Sequence, residues 1–376
     1  MYKKGLVKAM KISQVQLFVL MVTFELGSAI VVGVGTDAKQ DAWMAIFLGM
    51  FIGIFIFLLY GYMYKKFPET PLSVYLEKVV GKFLGKTLGF IYLSYFFYIS
   101  SRVLRDFGEL ITTGLLQDTP IMVVNSLMMI VIVYGCFKGL EVIARTGEIL
   151  FYILGLFTFI LYVLIFISVD LKPENLQPTL ENGLAPVLST VFPETITIPF
   201  GELIVFTMLL PYVKKQKGTL KTGILAILFS GLVLSLTMTI NIMTLGVDQL
   251  NRTLFPLLDT IEKVSIGGFL ERIDPIAVVI MVIGGFFKII IFFYAGLLGI
   301  RYTVTSNYQK PIIIIAAISV VFLSKVIAGN WLKHIQIGLE VVPTYIHIPL
   351  QVIIPGILAL LTIIMKRKWS KNKGEA

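Results

Sequence analysis

Ten long apolar segments run through this chain, and four of them carry an ionisable residue close to their centre: Glu25, Arg102, Glu202 and Lys288. A charge at the middle of a bilayer costs roughly 2.5 kcal/mol or more, so it is rarely kept there without a partner or a task. Two acids and two bases cancel one another if their helices meet. The pattern predicts a membrane protein with a polar site buried at mid-depth, and it locates that site.

Composition supports the class. Apolar residues make up 57% of the chain and charged residues 14%, with a mean hydropathy of +0.90. A soluble chain of 376 residues has no way to hide that much apolar surface. Runs such as Ile312 to Leu323 and Val352 to Met365 lack the period-two alternation of a transmembrane barrel and are long enough to span as helices. The single cysteine, Cys136, allows no intrachain disulfide. His334 and His347 have no Cys, Asp or Glu set at ligand spacing, so neither a metal site nor a cofactor is expected. No Ser/His/Asp, HExxH or GxSxG arrangement supports intramembrane hydrolysis, and Gly33-Val-Gly35 is too short for a nucleotide loop. The chain reads as a non-enzyme.

Helices are expected over about 14–35, 41–64, 86–116, 121–137, 147–168, 185–212, 219–245, 273–301, 311–327 and 337–365. When the loops are assigned alternately to two sides, 22 basic residues fall on one side and 7 on the other. The richer side holds Lys3, Lys4, Lys8 and Lys11, the Lys214–Lys221 loop and the cluster from Lys366 to Lys373. The positive-inside rule therefore places both termini in the cytoplasm. The formal charge of +10 is then topological and needs no nucleic-acid partner. The basic start and Gly27-Ser28-Ala29 imitate a signal peptide, yet the apolar run continues to Val34, so the segment is expected to be retained. The loop from Gly246 to Arg272 contains a short amphipathic pattern (Leu257, Ile261, Val264) suited to the outer surface. The whole of 1–376 reads as one transmembrane domain, with repeat one over about 12–168 and repeat two over about 185–365.

The first and sixth segments stand out. The first is expected to be interrupted at Glu25-Leu-Gly27-Ser28-Ala29. The sixth reads Pro193-Glu-Thr195-Ile-Thr197-Ile-Pro199-Phe200-Gly201-Glu202, where two prolines should stop one half-helix and start another. Prolines and glycines often merely kink membrane helices. Breaks at matching places of two five-helix halves, each beside an acid, instead point to an inverted-repeat transporter fold and its site. Half-helix N-termini attract an anion such as a carboxylate, and unwound carbonyls accept from an ammonium, which together suit a zwitterion.

The candidate ligand-binding set is Glu25, Gly27, Ser28 and Ala29 on the first segment, Tyr98 and Arg102 on the third, Thr197, Phe200, Gly201 and Glu202 on the sixth, and Lys288 on the eighth. Each has a purely structural alternative. Arg102 has Asp106 one turn on, as Arg105 has Glu109, so a helix-packing ion pair competes with a ligand contact. Lys288 has no acid within a turn, so its partner must come from another helix, Glu25 or Glu202. The aromatic residues Tyr92, Tyr95, Phe286, Phe287, Phe292 and Phe293 read as packing, and Gly49-xxx-Gly53 and Gly81-xxx-Gly85-xxx-Gly89 as close helix contacts.

Several fragments in order carry a resemblance: Lys11-Ile-Ser13-x-x-Gln16, Gln40-Asp41-Ala42-Trp43, Arg105-Asp106-Phe107-x-Glu109 and Thr119-Pro120. Gly139-Leu-Glu141-Val-Ile-Ala-Arg145-x-x-Glu148, Pro199-Phe-Gly201-Glu202, Leu210-Pro211-Tyr212 and Glu271-Arg272-Ile-Asp274 follow. Over nearly its full length the chain resembles the B subunit of bacterial spore nutrient-germinant receptors, a family similar to amino acid/polyamine/organocation transporters. The resemblance implies an all-α integral membrane protein of ten transmembrane helices, a leucine-transporter-like five-plus-five inverted repeat with broken helices 1 and 6. It implies an amino-acid-type nutrient ligand, A-type and C-type partner subunits, and the spore inner membrane. A working secondary transporter is the alternative. In sodium-coupled relatives of this fold a cation sits between helices 1 and 8, where the Lys288 ammonium would replace it. Helix 8 departs from the family here, since many members have a neutral residue near that position.

Overall fold

The computed structural model describes residues 11–253, 255–265, 274–303 and 309–374. Lys3, Lys4, Lys8, Glu271 and Arg272 lie outside the described residues, as do the side chains of Asp274, Lys366, Arg367, Lys368, Lys371 and Lys373.

Helix α1 (Gln14–Val32) starts where its sequence says it should. The Ser13 hydroxyl accepts from the Gln16 N–H (3.0 Å) while the Gln16 side chain accepts from the Ser13 N–H (2.8 Å), a reciprocal capping box. It ends at Gly33 and Gly35, whose φ values of 71° and 90° are left-handed. The expected interruption at Glu25–Ala29 is not there: α1 runs through these residues as one α-helix. Away from water each backbone bond is worth keeping, and a buried glycine does not break a helix that neighbours clamp on several sides.

Helix α2 (Ala42–Lys66) is followed by α3 (Leu72–Val80), α4 (Lys82–Gly114), α5 (Ile121–Lys138) and α6 (Leu140–Ser168). The short α3 was not expected from the sequence; it buries Leu72, Val74, Tyr75 and Leu76. The sixth segment is divided. It begins as α7 (Ala185–Thr190), widens into π-type turns over Val191–Phe200, and tightens into 3-10 turns over Gly201–Met208 and Leu210–Tyr212. Phe192 (φ −115°, ψ 118°) and Ile198 (φ −119°, ψ 118°) are extended, and each precedes a proline. Proline crowds the residue before it out of the helical region and lacks an N–H to continue the ladder.

Helix α8 (Thr219–Leu250) bends at Gly246. A short α9 (Pro256–Glu262) follows, with Leu257, Ile261 and Val264 buried as its amphipathic pattern requires. Then come α10 (Asp274–Thr303) and α11 (Gln309–Val326). The last segment opens with α12 (Trp331–Gln336) and π-type turns over Ile337–Val341 and Pro343–Ile353, and closes as α13 (Ile354–Gly374). The stretch Trp331–Val341 folds back at 110° to Lys310–Val326.

Among the described residues seven helices are long and apolar enough to cross a membrane, and this bent pair makes an eighth if counted as one span. The apolar part of α1, Gln14–Ile30, is shorter than these, and α4 is less apolar because it carries tyrosines, serines and Arg102. Large apolar side chains such as Phe55, Leu127, Tyr152, Phe159 and Ile318 face outward, as lipid contact demands.

The interior is built around one long pairing, α4 against α10, with α2 against α8 beside it and α1 wedged between α10, α8 and α6. A Cβ built on Gly49 would strike Thr195, and one on Gly53 would strike Phe200, so these glycines let the divided segment lie close on α2. Counting apolar segments, the first touches the sixth, the second the seventh, the third the eighth and the fourth the ninth.

Candidate functional site

Lys288, in the middle of α10, is fully buried, and its surroundings define the site. Its ammonium lies 2.6 Å from Glu202 Oε2 and donates to Ser28 Oγ at 2.9 Å. The face of Phe24 lies 5.5 Å away. Of the two acids the sequence allowed as its partner, Glu202 makes the pair. Glu25 is just as buried, yet neither of its carboxylate oxygens has a hydrogen-bond partner.

Above this pair lies a cavity of about 50 Å³, room for a few waters. Its walls are Ser28 and Ala29 of α1, Arg102 and Asp106 of α4, Glu202, and His347 of the last segment. Residues 335–342 supply the roof through Ile335, Gly338, Leu339 and Val342. Arg102 and Asp106 do not form the ion pair their spacing allows. Arg102 Nη2 donates to the His334 carbonyl (2.5 Å), and Asp106 Oδ1 meets His334 Nε2 (2.7 Å). Both side chains therefore hold the roof, where the His334 ring stacks on Trp331 and Trp331 packs on Phe255 before α9. The folded-back stretch won because it brings a carbonyl and an imidazole to groups that would otherwise only neutralise each other. Arg102 Nη1 is left buried with no partner, beside the cavity. One turn on, Arg105 does pair with Glu109, at 2.5 Å.

The other expected residues lie behind this wall. Gly27 faces α10: a Cβ there would sit 3.0 Å from the Gly284 carbonyl and from Lys288 Cβ, so the close approach it allows is to a helix. Thr197 donates back to the Pro193 and Glu194 carbonyls, Phe200 packs on Gly53, and Tyr98 is half-buried against the apolar core. Gly201 lies against Gln351, with its carbonyl accepting from Tyr60 OH at 3.0 Å.

Sequence reading missed one polar network. Tyr60 OH also donates to the Gln351 carbonyl (2.7 Å), and Tyr92 OH to the Leu350 carbonyl (2.7 Å). These are carbonyls of the π-type turns, where the i−4 ladder is interrupted. Gln351 Nε2 donates to Tyr95 OH (2.8 Å) and meets His347 Nδ1 (2.5 Å). The signal was present: His347 and Gln351 are a polar pair one turn apart inside an apolar run, next to Pro343 and Pro349.

The fragments that carried the resemblance hold the chain together. Ile12 N–H donates to the Tyr212 carbonyl and Lys214 N–H to that of Ile12, both at 2.9 Å, while Gln16 Nε2 donates to Glu148 at 2.9 Å. At the other end Gln40 and Asp41 bind the backbone of Pro178 and Leu180. A family model described as Spore germination protein matches residues 11–330. The chain belongs to the spore germination protein family. Spore germination protein KB of Bacillus subtilis is 40% identical over 97% of this chain and 98% of its own length. Spore germination protein YndE of the same organism is 25% identical, covering 96% and 98%. Among solved structures, MhsT in complex with L-phenylalanine matches with a TM-score of 0.67 at 14% identity, over 94% of this chain and 89% of that one. That likeness shows a shared fold, and the family together with the apolar helices makes the chain an integral membrane protein.

Proposed function

We propose that this chain is the nutrient-sensing subunit of a spore germinant receptor. It binds a small zwitterion, an amino acid, in the cavity between α1, α4 and the last segment, and signals through A-type and C-type subunits in the spore inner membrane. One observation carries the reading: the cavity presents opposite charges to one small space. Arg102, with its unpartnered Nη1, suits a carboxylate, and Glu202 suits an ammonium. Ser28 and Ala29 line the space between them. Gly27, Gly201, Thr197, Phe200, Tyr98, Glu25 and Lys288 serve as its second layer. The ligand of MhsT is itself an amino acid, on the same fold.

The proposed architecture is ten spans in two inverted repeats, about 12–168 and 185–365. Contacts between each of the first four segments and the one five places later support this, because elements related by a two-fold axis meet across it. Both termini are cytoplasmic in this reading. With Cys136→Ala as background, an impermeant thiol reagent should label a cysteine at Gln249 in intact cells and one at Lys217 only after permeabilisation. Labelling at 217 from outside would refute the topology.

The transporter-type fold favours a second reading, a working amino acid transporter. A transporter must expose its site to each side in turn, whereas a sensor need only prefer one conformation when occupied. Purified protein in liposomes should bind radiolabelled amino acid, lose that binding with Arg102→Gln, and show little net uptake. Saturable uptake that Arg102→Gln abolishes would make it a transporter. Failure of every proteinogenic amino acid to bind would overturn the ligand class.

A further inference from the structure

Glu25 is buried in the heart of the fold without a hydrogen bond to either oxygen, and the charges around it are already committed. The nearest cation, the Lys288 ammonium, has three hydrogens, and two are directed at Glu202 Oε2 (2.6 Å) and Ser28 Oγ (2.9 Å). Two carboxylates thus share one lysine. From α8 the Ser230 hydroxyl faces Glu25 and also lies 2.9 Å from the Ala226 carbonyl, so an ionised Glu25 competes with that carbonyl for a single hydrogen. Ser230 Oγ also carries acceptor lone pairs. With the hydroxyl hydrogen on the Ala226 carbonyl, a carboxylate finds no donor there, whereas a carboxylic acid has an O–H to give to Ser230.

Other charged groups on elements packed against α1 meet other partners or lie towards its ends. On α4, Arg102 and Asp106 hold His334. In the divided segment Glu194 accepts from the Gly35 N–H at the end of α1 (2.9 Å), and on α6 Glu148 accepts from Gln16 at its start. Asp259 and Glu262 lie on α9, whose Pro256 packs at Gly33 at the outer end. His347, in the last segment, faces Lys288 and Arg102.

We propose that Glu25 is a proton-binding site, loaded in the arrangement seen here and emptied when Lys288 changes partner. The loaded set is neutral: a protonated Glu25, the Lys288 ammonium and the Glu202 carboxylate. If a ligand ammonium takes the place of Lys288 on Glu202, the lysine is released to pair with Glu25. The Glu25 O–H bond then breaks, the electron pair stays on the carboxylate, and the proton passes to cavity water beside Ser28. The set is neutral again, with two carboxylates facing two ammonium groups, and one proton leaves for each ligand bound. That exchange rests on the ligand reading above, but the resting proton does not.

The test needs no nutrient. The full chain, in liposomes at neutral pH, is compared by infrared spectroscopy as wild type, Glu25→Gln and Glu202→Gln. The spectrum of wild type minus Glu25→Gln should contain the C=O stretch of a protonated carboxyl, and that of wild type minus Glu202→Gln should not. No such band in the first difference, or the band in the second alone, overturns the proposal. Should Glu25→Gln fail to fold, wild-type protein treated with a hydrophobic carbodiimide, which adds to protonated buried carboxyls, decides by peptide mapping. An adduct on Glu25 supports the site, and one on Glu202 with none on Glu25 overturns it.

Discussion

Lys288→Ala is expected to destabilise the protein by about 3–5 kcal/mol, because it leaves the Glu202 carboxylate buried without its counter-charge. Ser28 loses a donor in the same change, and the lysine stem that packs on Gly27 leaves a void beside it. Thermal unfolding of the purified protein, or its abundance in the membrane, should fall clearly. Lys288→Met, which keeps the volume, separates the charge from the packing and should still be impaired. Adding Glu202→Gln should recover most of the loss, since removing both members of a buried pair costs far less than removing one. If Lys288→Met alone is as stable as wild type, the pair does not hold α10 to the divided segment. The resemblance implies that the Lys288 ammonium replaces a coupling cation, so the nutrient response is expected not to depend on sodium, and a steep dependence would count against that role.

Gly27→Leu should also destabilise the protein, through sterics. Any Cβ at this position meets the Gly284 carbonyl and Lys288 Cβ at 3.0 Å, and one at Gly284 meets Gly27 Cα at the same distance. Backbone on both sides cannot yield as a flexible side chain would, so α1 and α10 must separate. Overpacking a close contact typically costs about 1–3 kcal/mol, and here it also pulls Ser28 from Lys288. The sequence places Gly27 among the ligand-binding candidates. The structure predicts lost stability together with lost response. Gly27→Ala and Gly284→Ala should already lower the unfolding temperature, and wild-type behaviour of Gly27→Leu would show that the helices do not cross there.

The sequence by itself determined the class and which charged residues are buried at the centre. Apolar segment length and the four central charges follow from the cost of dissolving polar groups in lipid, which acts on composition whatever the packing. The interruption at Phe192 and Ile198 was legible for a local reason, since proline constrains its own backbone and that of its neighbour. The start of α1 was expected at residue 14, and the capping box of Ser13 and Gln16 is the local reason. Which groups meet was not local. Glycine at 27 is compatible with a broken helix or with a crossing point, and only the presence of Gly284 opposite decides for the crossing. Asp106 lies one turn from Arg102 in sequence, yet both turn to His334, because the stretch after Gly329 folds back at 110° and brings that residue to them. The choice of Glu202 over Glu25 for Lys288 is of the same kind. Spacing along a helix fixes which face a side chain occupies, and the partner it finds there is set by the helices that tertiary packing places alongside.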